Sequence, residues 1–430
     1  MNREIFRLAV PNVLSNLSIP LLGLVDAALM GHMDDAGKFL SAVAIAAAIF
    51  NVLYWSFGFL RMGTTGMTAQ AYGASKDQES LLTLLRGMGV ALVIGLLLII
   101  CQEPLAWAGM SIMEGSEEAK EIAQDYFFIR IFAAPAALAL YVFNGWFLGM
   151  QNAVIPLVLS LVINLVNIGA NFIFVIGYDM GAEGIALGTL IAQYSGLFTA
   201  VILFLVRYRY ILKFREGAKV FDAAQLKHFF LINRDLFIRT TCLVFVFTYF
   251  TSRSGKFGDE VLAANSLLFQ LLFLMSYLVD GFAFAAESLV GKYIGLRDQE
   301  TLKKVIRRIL VFGMSFSLVF SLFYLVAGRQ FLELLSSDAQ VVEDAVVYLP
   351  WMILMPIWGA FSFLWDGIFI GATASKYLRN NMIVASFLIF LPAWWLTADQ
   401  LGNHGLWLAM SLFMIVRGVG LALNAKKITV

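Results

Sequence analysis

Twelve long apolar segments restrict the fold of this chain more than any other feature. They end at charged residues or at Gly/Pro-rich turns, and they cover residues 8–32, 40–71, 84–108, 122–149, 154–177, 182–206, 236–254, 261–291, 305–327, 344–371, 379–397 and 403–424. A helix needs roughly 20 apolar residues to cross a bilayer. Only helices and closed barrels satisfy the backbone in lipid, and these segments are too long for barrel strands. We therefore predict an all-α polytopic membrane protein with twelve transmembrane helices.

The composition excludes several functional classes. Of the 430 residues, 60% are apolar and 14% are charged, and the net charge is +1. Soluble domains contain roughly 45–50% apolar and 25% charged residues, so a soluble enzyme or a nucleic-acid-binding protein is not expected. The sequence has no phosphate-binding loop and no metal-hydrolase motif. We predict no enzymatic activity, no cofactor and no direct use of ATP, which leaves an ion gradient as the energy source.

The distribution of positive charge predicts the topology. Of the 30 Lys and Arg residues, 21 lie on the side of the N-terminus, five on the other side and four within spans. Cytoplasmic loops carry the excess of positive charge, so we place both termini in the cytoplasm and the protein in the inner membrane. The longest basic connection divides the chain into an N-terminal lobe, 1–206, a cytoplasmic linker, 207–235, and a C-terminal lobe, 236–430.

The two halves of the chain repeat each other. NGWFLG at 144–149 matches DGIFIG at 366–371, which is an offset of 222 in the numbering. Three further matches have an offset of 221 or 222: 71–81 with 293–302, Pro135 with Pro356, and Gly184 with Gly405. Six helices per half is an even number, so both halves enter from the same side and form a parallel repeat. Such pseudo-symmetric halves are typical of secondary transporters, with the substrate site between them.

Ionisable and polar side chains within the spans are the candidate functional residues, because burying them in a membrane is costly. Asp26 lies in the outer half of the first span. Asn164, Asn167 and Asn171 follow one face of the fifth helix. Asn171 and, on the sixth helix, Thr189 reach the same depth in the membrane as Asp26. A carboxylate with amide and hydroxyl oxygens suits a proton or Na⁺. The alternative is that the Asn and Thr side chains only join helices by hydrogen bonds.

The second half has its own embedded charges. Asp280 and Glu287 share one face of the eighth helix, and Asp366 lies near the cytoplasmic end of the tenth. Arg61 is the expected partner of the Asp280/Glu287 pair if the second and eighth helices face each other, as a structural ion pair or as part of cation handling. The remaining embedded arginines lie nearer the span ends and are expected to extend to the interface: Arg130, Arg239 and Arg417.

The first span contains two prolines, one near its start and one inside it. Pro11 and Pro20 each remove a helix hydrogen bond and permit a bend. Because the same helix carries Asp26, we predict that it is a moving part, with a static kink as the alternative.

Five segments together resemble one transporter family over essentially the whole chain. They are GLVDAALMGHM at 23–33, FGFLRMGTTGMTAQAYGA at 57–74, LVDGFAFAAESLVG at 278–291, WDGIFIGATAS at 365–375 and LGNHGLWLAM at 401–410. These segments resemble the MATE (multidrug and toxic compound extrusion) family, specifically its DinF-type branch. The resemblance implies two six-helix bundles around a central cleft, a monomer, and export of organic, often cationic, compounds in exchange for protons or Na⁺.

The resemblance also implies roles for single residues. Members of this branch use an aspartate in the first helix, which matches Asp26, an N-x-x-x-D pattern in the fifth helix, and a threonine in the sixth. Asn167 and Thr189 match, but Asn171 stands where the second aspartate is usual. Asp26 is then the only acid of this cluster, and Na⁺ at Asp26 is the only metal ion expected. More of the coupling would fall to the C-terminal acids Asp280, Glu287 and Asp366.

The sequence therefore favours a cation-coupled antiporter that exports small amphipathic molecules by alternating access. The alternative is a flippase for a lipid or a lipid-linked oligosaccharide, which would favour a cationic cleft for a pyrophosphate. The embedded acids outnumber Arg61, the one base expected to lie deep in the membrane, and this balance favours the exporter.

Overall fold

The computed structural model describes residues 1–31, 36–215, 220, 222–336 and 338–428, without the side chains of 19–22, 24, 26–28, 30–31, 36 and 215. The described residues are almost entirely helical and contain no β-strand. Twelve long helices among them follow the predicted spans: α1 Asn2–Gly31, α2 Gly37–Gly73, α3 Asp77–Ile100, α4 Glu117–Gly149, α5 Val154–Gly177, α6 Ala182–Phe214, α7 Ala223–Ser254, α8 Asp259–Gly295, α9 Gln299–Leu335, α10 Ala339–Gly371, α11 Ser375–Leu401 and α12 Asn403–Leu423.

Among the described residues, ten of these helices, α2 to α6 and α8 to α12, are long and apolar enough to cross a membrane. Two of the described helices contain a π-helical stretch, Phe172–Gly177 at the end of α5 and Val384–Phe390 in the middle of α11. A further short helix, Gln102–Ile112, follows α3.

Local capping explains where some helices begin. The Asp298 carboxylate accepts a hydrogen bond from the Thr301 N–H at 2.9 Å and so begins α9. Hydrogen bonds from Thr301 hold the pKa of this carboxyl below its usual range. Asp338 begins α10 in the same way, through the N–H groups of Gln340 and Val341.

Backbone contacts divide the chain into two compact units. The first unit is Leu14–Lys227, and the second unit is Met1–Val13 together with His228–Val430. The division falls within α1, less than one turn beyond Pro11. The first residues of α1 are held in the second unit by Glu4, whose carboxylate accepts hydrogen bonds from Lys292 Nζ at 2.9 Å and from the Tyr293 hydroxyl at 3.2 Å. The predicted three-part division at 206 and 236 stays a prediction, and so does bending at Pro11 and Pro20.

The internal repeat is confirmed by the backbone. Among the described residues, four of the five non-glycine residues with positive φ form two pairs with the same offset of 222: Ser75 (54°) with Arg297 (57°), and Gln151 (61°) with Thr373 (52°). The hydrogen bonds that close these turns repeat as well. Lys76 N–H donates to the Ala71 carbonyl, and at the same offset Asp298 N–H donates to the Tyr293 carbonyl. The two units therefore end equivalent helices with the same turn.

A close helix crossing inside each unit also repeats. A Cβ added at Gly145 in α4 would lie 2.4 Å from the Arg61 carbonyl oxygen in α2, and one at Gly367 in α10 would lie 2.4 Å from the Ala283 carbonyl oxygen in α8. The glycines and the carbonyl residues are both related by the offset of the repeat. The helices approach so closely that only glycine fits at the crossing.

Alanine at either crossing glycine is expected to destabilise the protein. Gly367→Ala places a methyl group against a backbone oxygen that cannot rotate away, so we expect a loss of about 1–3 kcal/mol and a lower melting temperature. Gly145→Ala should behave alike because the crossing is equivalent. Gly89→Ala in α3 and Gly169→Ala in α5 are the matched controls, since nothing lies within 4 Å of an added Cβ there. Equal melting temperatures for the crossing and control variants would contradict the repeated crossing.

Candidate functional site

A buried polar chain connects α5 and α6 in the first unit. Asn171 Nδ2 donates to Asn167 Oδ1 at 3.0 Å, and Asn167 Nδ2 donates to Thr189 Oγ1 at 3.1 Å. The Thr189 hydroxyl donates in turn to the Ile185 carbonyl at 3.0 Å. Asn167 is 1% exposed and Asn171 is fully buried. The structure therefore brings together Asn167, Asn171 and Thr189, of which the sequence placed Asn171 and Thr189 at the same depth.

The surroundings of Asn171 are unusual in two ways. A Cβ added at Gly188 in α6 would lie 1.9 Å from Asn171 Oδ1, so the absence of a side chain at position 188 makes room for the amide. Asn171 also immediately precedes the π-helical stretch Phe172–Gly177. Single π-helical turns are rare and frequently occur at functional sites.

The remaining asparagine of the stripe contacts α1. Asn164 Nδ2 donates to the Ser18 carbonyl at 3.3 Å, and the Ser18 and Ser160 hydroxyl groups lie 2.6 Å apart. These contacts hold the middle of α1 against α5. The side chain of Asp26 lies outside the described residues, so its position beside Asn167 and Asn171 stays a prediction.

A second buried group of charges lies inside the second unit. The Asp366 carboxylate on α10 accepts hydrogen bonds at Oδ2 from Arg239 Nη2 on α7 and from Arg417 Nη2 on α12, the latter at 2.6 Å. The side chains of Asp366 and Arg239 are 6% and 8% exposed, and that of Arg417 is 1% exposed. One carboxylate thus joins three helices of the unit.

The expectation that Arg239 and Arg417 extend to the membrane interface is wrong. Both arginines are turned inward because Asp366 offers a charged acceptor within their reach, and a charge-assisted hydrogen bond outweighs partial hydration at a span end. Arg417 is further enclosed by Phe363 and Phe413, whose ring centres lie 5.4 and 5.3 Å from its guanidinium carbon. Its Nη1 also lies 3.2 Å from the Met414 sulfur.

The other predicted charges are placed only in part. Glu287 on α8 is 2% exposed, and Asp280 on the same helix is half-buried. Asp280 interacts electrostatically with Arg417. The pairing of Asp280 and Glu287 with Arg61 stays a prediction. Arg130 lies half-buried over the Phe50 ring, 4.6 Å from its centre.

Sequence reasoning missed the role of the two buried arginines, although the repeat contained a signal. Asp366 corresponds to Asn144 at an offset of 222, and Arg417 corresponds to Gly196 at 221. The C-terminal half therefore has an acid, Asp366, and a base, Arg417, at two positions where the N-terminal half has neutral residues. Opposite charges that occur together in only one half indicate that they pair with each other. A related contact lies nearby, where the buried Asp235 carboxylate accepts from Arg379 Nη1 at 2.7 Å and from the Ser375 hydroxyl at 3.2 Å.

Comparison with known proteins connects this architecture to one family. The MatE family model matches residues 11–173 and 236–396. The chain is 38% identical over 425 residues to DNA damage-inducible protein F of Escherichia coli (strain K12), covering 98% of this chain and 91% of that protein. It is 26% identical over 438 residues to multidrug and toxin extrusion protein 1 of Homo sapiens, covering 97% of this chain and 73% of that protein.

The fold is also that of solved structures. The crystal structure of MATE in the bent conformation matches with a TM-score of 0.89 at 18% identity, covering 99% of this chain and 95% of that chain. At this identity the likeness shows the fold alone, which is the predicted twelve-helix arrangement in two pseudo-symmetric halves. The family model and the 38% identity over 98% of the chain show that the chain belongs to the MatE family, whose members are transporters and not enzymes.

Proposed function

We propose that this protein is a secondary active antiporter that exports small organic, often cationic, compounds in exchange for H⁺ or Na⁺ by alternating access. It acts as a monomer in the inner membrane with both termini in the cytoplasm. Membership of the MatE family and the similarity to a protein named for multidrug and toxin extrusion support this assignment. Both the substrate class and the coupling ion are parts of the proposal.

The observation that carries the proposal is the buried chain of Asn171, Asn167 and Thr189. Three polar side chains lie in contact between two helices that are otherwise apolar enough to cross a membrane. Burying such groups is unfavourable unless they are hydrogen-bonded, and here each of the three side chains is hydrogen-bonded to another of them. Together with the Asp26 carboxylate, which the sequence predicts at the same depth, they would offer one charge and several neutral oxygens, which are the ligands of a proton or a hard cation.

The C-terminal acids divide into two groups in this proposal. Asp366 already accepts hydrogen bonds from two guanidinium groups, so a coupling cation would have to displace an arginine to reach it. We therefore assign Asp366 to holding α7, α10 and α12 together. Asp280 and Glu287 remain the acids of the second unit proposed for coupling.

The test uses purified protein in proteoliposomes that contain a fluorescent organic cation. A proton gradient and a Na⁺ gradient are imposed separately, in the direction that drives export. Efflux that accelerates with one of the two gradients supports the antiporter. Efflux that ignores both gradients contradicts it.

The flippase alternative gains two buried bases, Arg239 and Arg417, beyond Arg61. Both donate to Asp366 inside the second unit, so neither is a free cation for a pyrophosphate. The balance of charges still favours the exporter. A fluorescent phospholipid supplied to the same proteoliposomes separates the two functions, because an exporter leaves the lipid in its original leaflet.

Asn171→Asp is expected to change the ion response of the protein. The amide now donates to Asn167 Oδ1 at 3.0 Å, and a carboxylate in its place would face that oxygen without a proton to donate. A bound proton or Na⁺ would relieve this repulsion and that between the new carboxylate and Asp26. We expect Na⁺ to raise the melting temperature of Asn171→Asp more than that of the wild type.

The matched control is Asn164→Asp, which adds the same charge to the same stripe at a side chain that bonds the Ser18 carbonyl instead. It should show the Na⁺ response of the wild type. If Asn171→Asp only melts earlier and its response to Na⁺ is unchanged, the polar chain joins helices and takes no part in ion binding.

A further inference from the structure

A groove with a basic rim opens on the surface of the second unit. It has a volume of about 290 Å³ and lies between the first turns of α9, the cytoplasmic end of α10 predicted by the topology, and Ala425 after α12. Lys303 and Arg307 form its rim, one turn apart on α9. Its apolar wall includes Leu310, Val311 and Trp365.

The two basic residues at the rim differ from their neighbours. In the part of the chain that the structure describes, Lys303 and Arg307 make no ion pair and no hydrogen bond. The next residues along the same helix do have partners, since Lys304 pairs with Glu300 and Arg308 donates to Asn2 Oδ1. Of these four basic residues of α9, the two without a partner are therefore the two that line the groove.

The wall of the groove contains a polar group without a partner. Trp365 is 6% exposed, and its indole Nε1 has no acceptor among the residues that the structure describes. This N–H has almost no accessible surface, so Trp365 contributes apolar surface to the groove and not a donor.

The position of the groove matches the edge of a bilayer. Lys303 precedes the predicted span 305–327, Arg307 lies at its start, and Val311 lies one turn deeper and is 54% exposed. The basic residues therefore lie at the level of the lipid headgroups, and the apolar surface lies directly below them at the level of the acyl chains. A phospholipid has its charged and apolar groups in the same order. On the predicted topology this end of α9 faces the cytoplasmic leaflet, where anionic lipids attract basic residues next to the membrane.

We propose that this groove binds an anionic phospholipid. Lys303 and Arg307 hold the headgroup phosphate, and Trp365 contributes apolar surface beside the first carbons of the lipid. The beginning of an acyl chain lies along Leu310 and Val311. A neutral lipid offers no phosphate to the two cations, and the trimethylammonium group of phosphatidylcholine repels them, so these lipids bind more weakly.

The test is native mass spectrometry of the full-length protein, titrated separately with phosphatidylglycerol and phosphatidylcholine. Wild type is expected to retain one phosphatidylglycerol more tightly than any phosphatidylcholine. The double substitution Lys303→Gln, Arg307→Gln should weaken binding of this lipid by about 25-fold, since each basic residue near an anionic surface contributes about fivefold. The single substitutions Lys303→Gln and Arg307→Gln should each weaken it by about fivefold.

The matched control is Lys304→Gln with Arg308→Gln, which removes the same charge from the same helix outside the groove. It should retain the tightly bound phosphatidylglycerol. The melting temperature of each variant without lipid shows that it is folded, and the single substitutions Lys303→Gln and Arg307→Gln keep the test valid if the double substitution does not fold. Equal retention of the two lipids by wild type, or equal losses in the groove and control variants, would overturn the proposal.

Discussion

Asp26→Asn is expected to reduce ion-driven export to the level of liposomes without protein, while the protein remains folded. Asp26 is the only acid of the predicted cluster with Asn167, Asn171 and Thr189. The substitution removes the charge that a coupling cation must compensate, so binding of that cation no longer distinguishes two conformations. It also removes the cost of burying a carboxylate, so stability should not fall. Efflux in proteoliposomes and the melting temperature are measured on the same preparation.

Glu118→Gln is the control for this substitution. It also neutralises a carboxylate of the first unit, but Glu118 lies on the surface in an ion pair with Lys38 at 2.8 Å. We expect wild-type export from it. Wild-type export from a well-folded Asp26→Asn protein would remove Asp26 from the mechanism.

Asp366→Asn is expected to destabilise the protein by about 3–5 kcal/mol, because it leaves two buried guanidinium groups without a compensating charge. An unpaired buried charge lowers the free energy of unfolding by more than most single substitutions do. The expected observations are a large drop in melting temperature and a low yield of folded protein. A folded Asp366→Asn protein that has lost only its ion response would instead identify Asp366 as a coupling residue.

Two comparisons isolate the cause. Replacing the whole cluster by Asp366→Leu, Arg239→Met and Arg417→Met should recover most of the lost stability, since apolar side chains of similar volume often replace a buried ion group without loss. Glu343→Gln breaks the exposed ion pair with Arg329 and should leave the melting temperature close to that of the wild type. If the triple variant is no more stable than Asp366→Asn, the destabilisation has a different origin.

The helices and the repeat follow from local features of the sequence, which explains why they were predictable. Hydropathy over about 20 residues sets where a helix spans a membrane, and a constant offset between matching segments reveals the repeat. The turns at Ser75 and Arg297 show the limit of this reasoning. Their positive φ angles are not evident from residue type, because neither residue is glycine, and only the offset of the repeat relates them.

The polar chain was predictable for a similar reason. Residues three and four apart share a helix face, so Asn167 and Asn171 were expected to lie together. Thr189 was expected beside them because the sixth helix runs antiparallel to the fifth and places Thr189 at the depth of Asn171. The space for Asn171 beside Gly188 was not predictable, since it depends on how closely α5 and α6 approach.

The buried arginines show what a linear pattern does not contain. Arg239 and Arg417 lie 127 and 51 residues from Asp366 in sequence, and only tertiary packing brings the three together. Distance from a span end therefore did not predict burial. Hydropathy likewise predicts the first span as a single helix of the N-terminal lobe. In the structure, however, the residues of α1 up to Val13 make their backbone contacts with the second unit.

The central claim is that export of an organic compound is coupled to an opposite movement of H⁺ or Na⁺. The most direct measurement loads proteoliposomes with an organic cation, imposes no ion gradient, and follows internal pH and internal Na⁺ as the compound leaves. Because coupling acts in both directions, the account predicts that one of these ions enters as the compound leaves, and that Asp26→Asn abolishes this entry. Departure of the compound with no ion entry, or with an ion leaving alongside it, would contradict the claim.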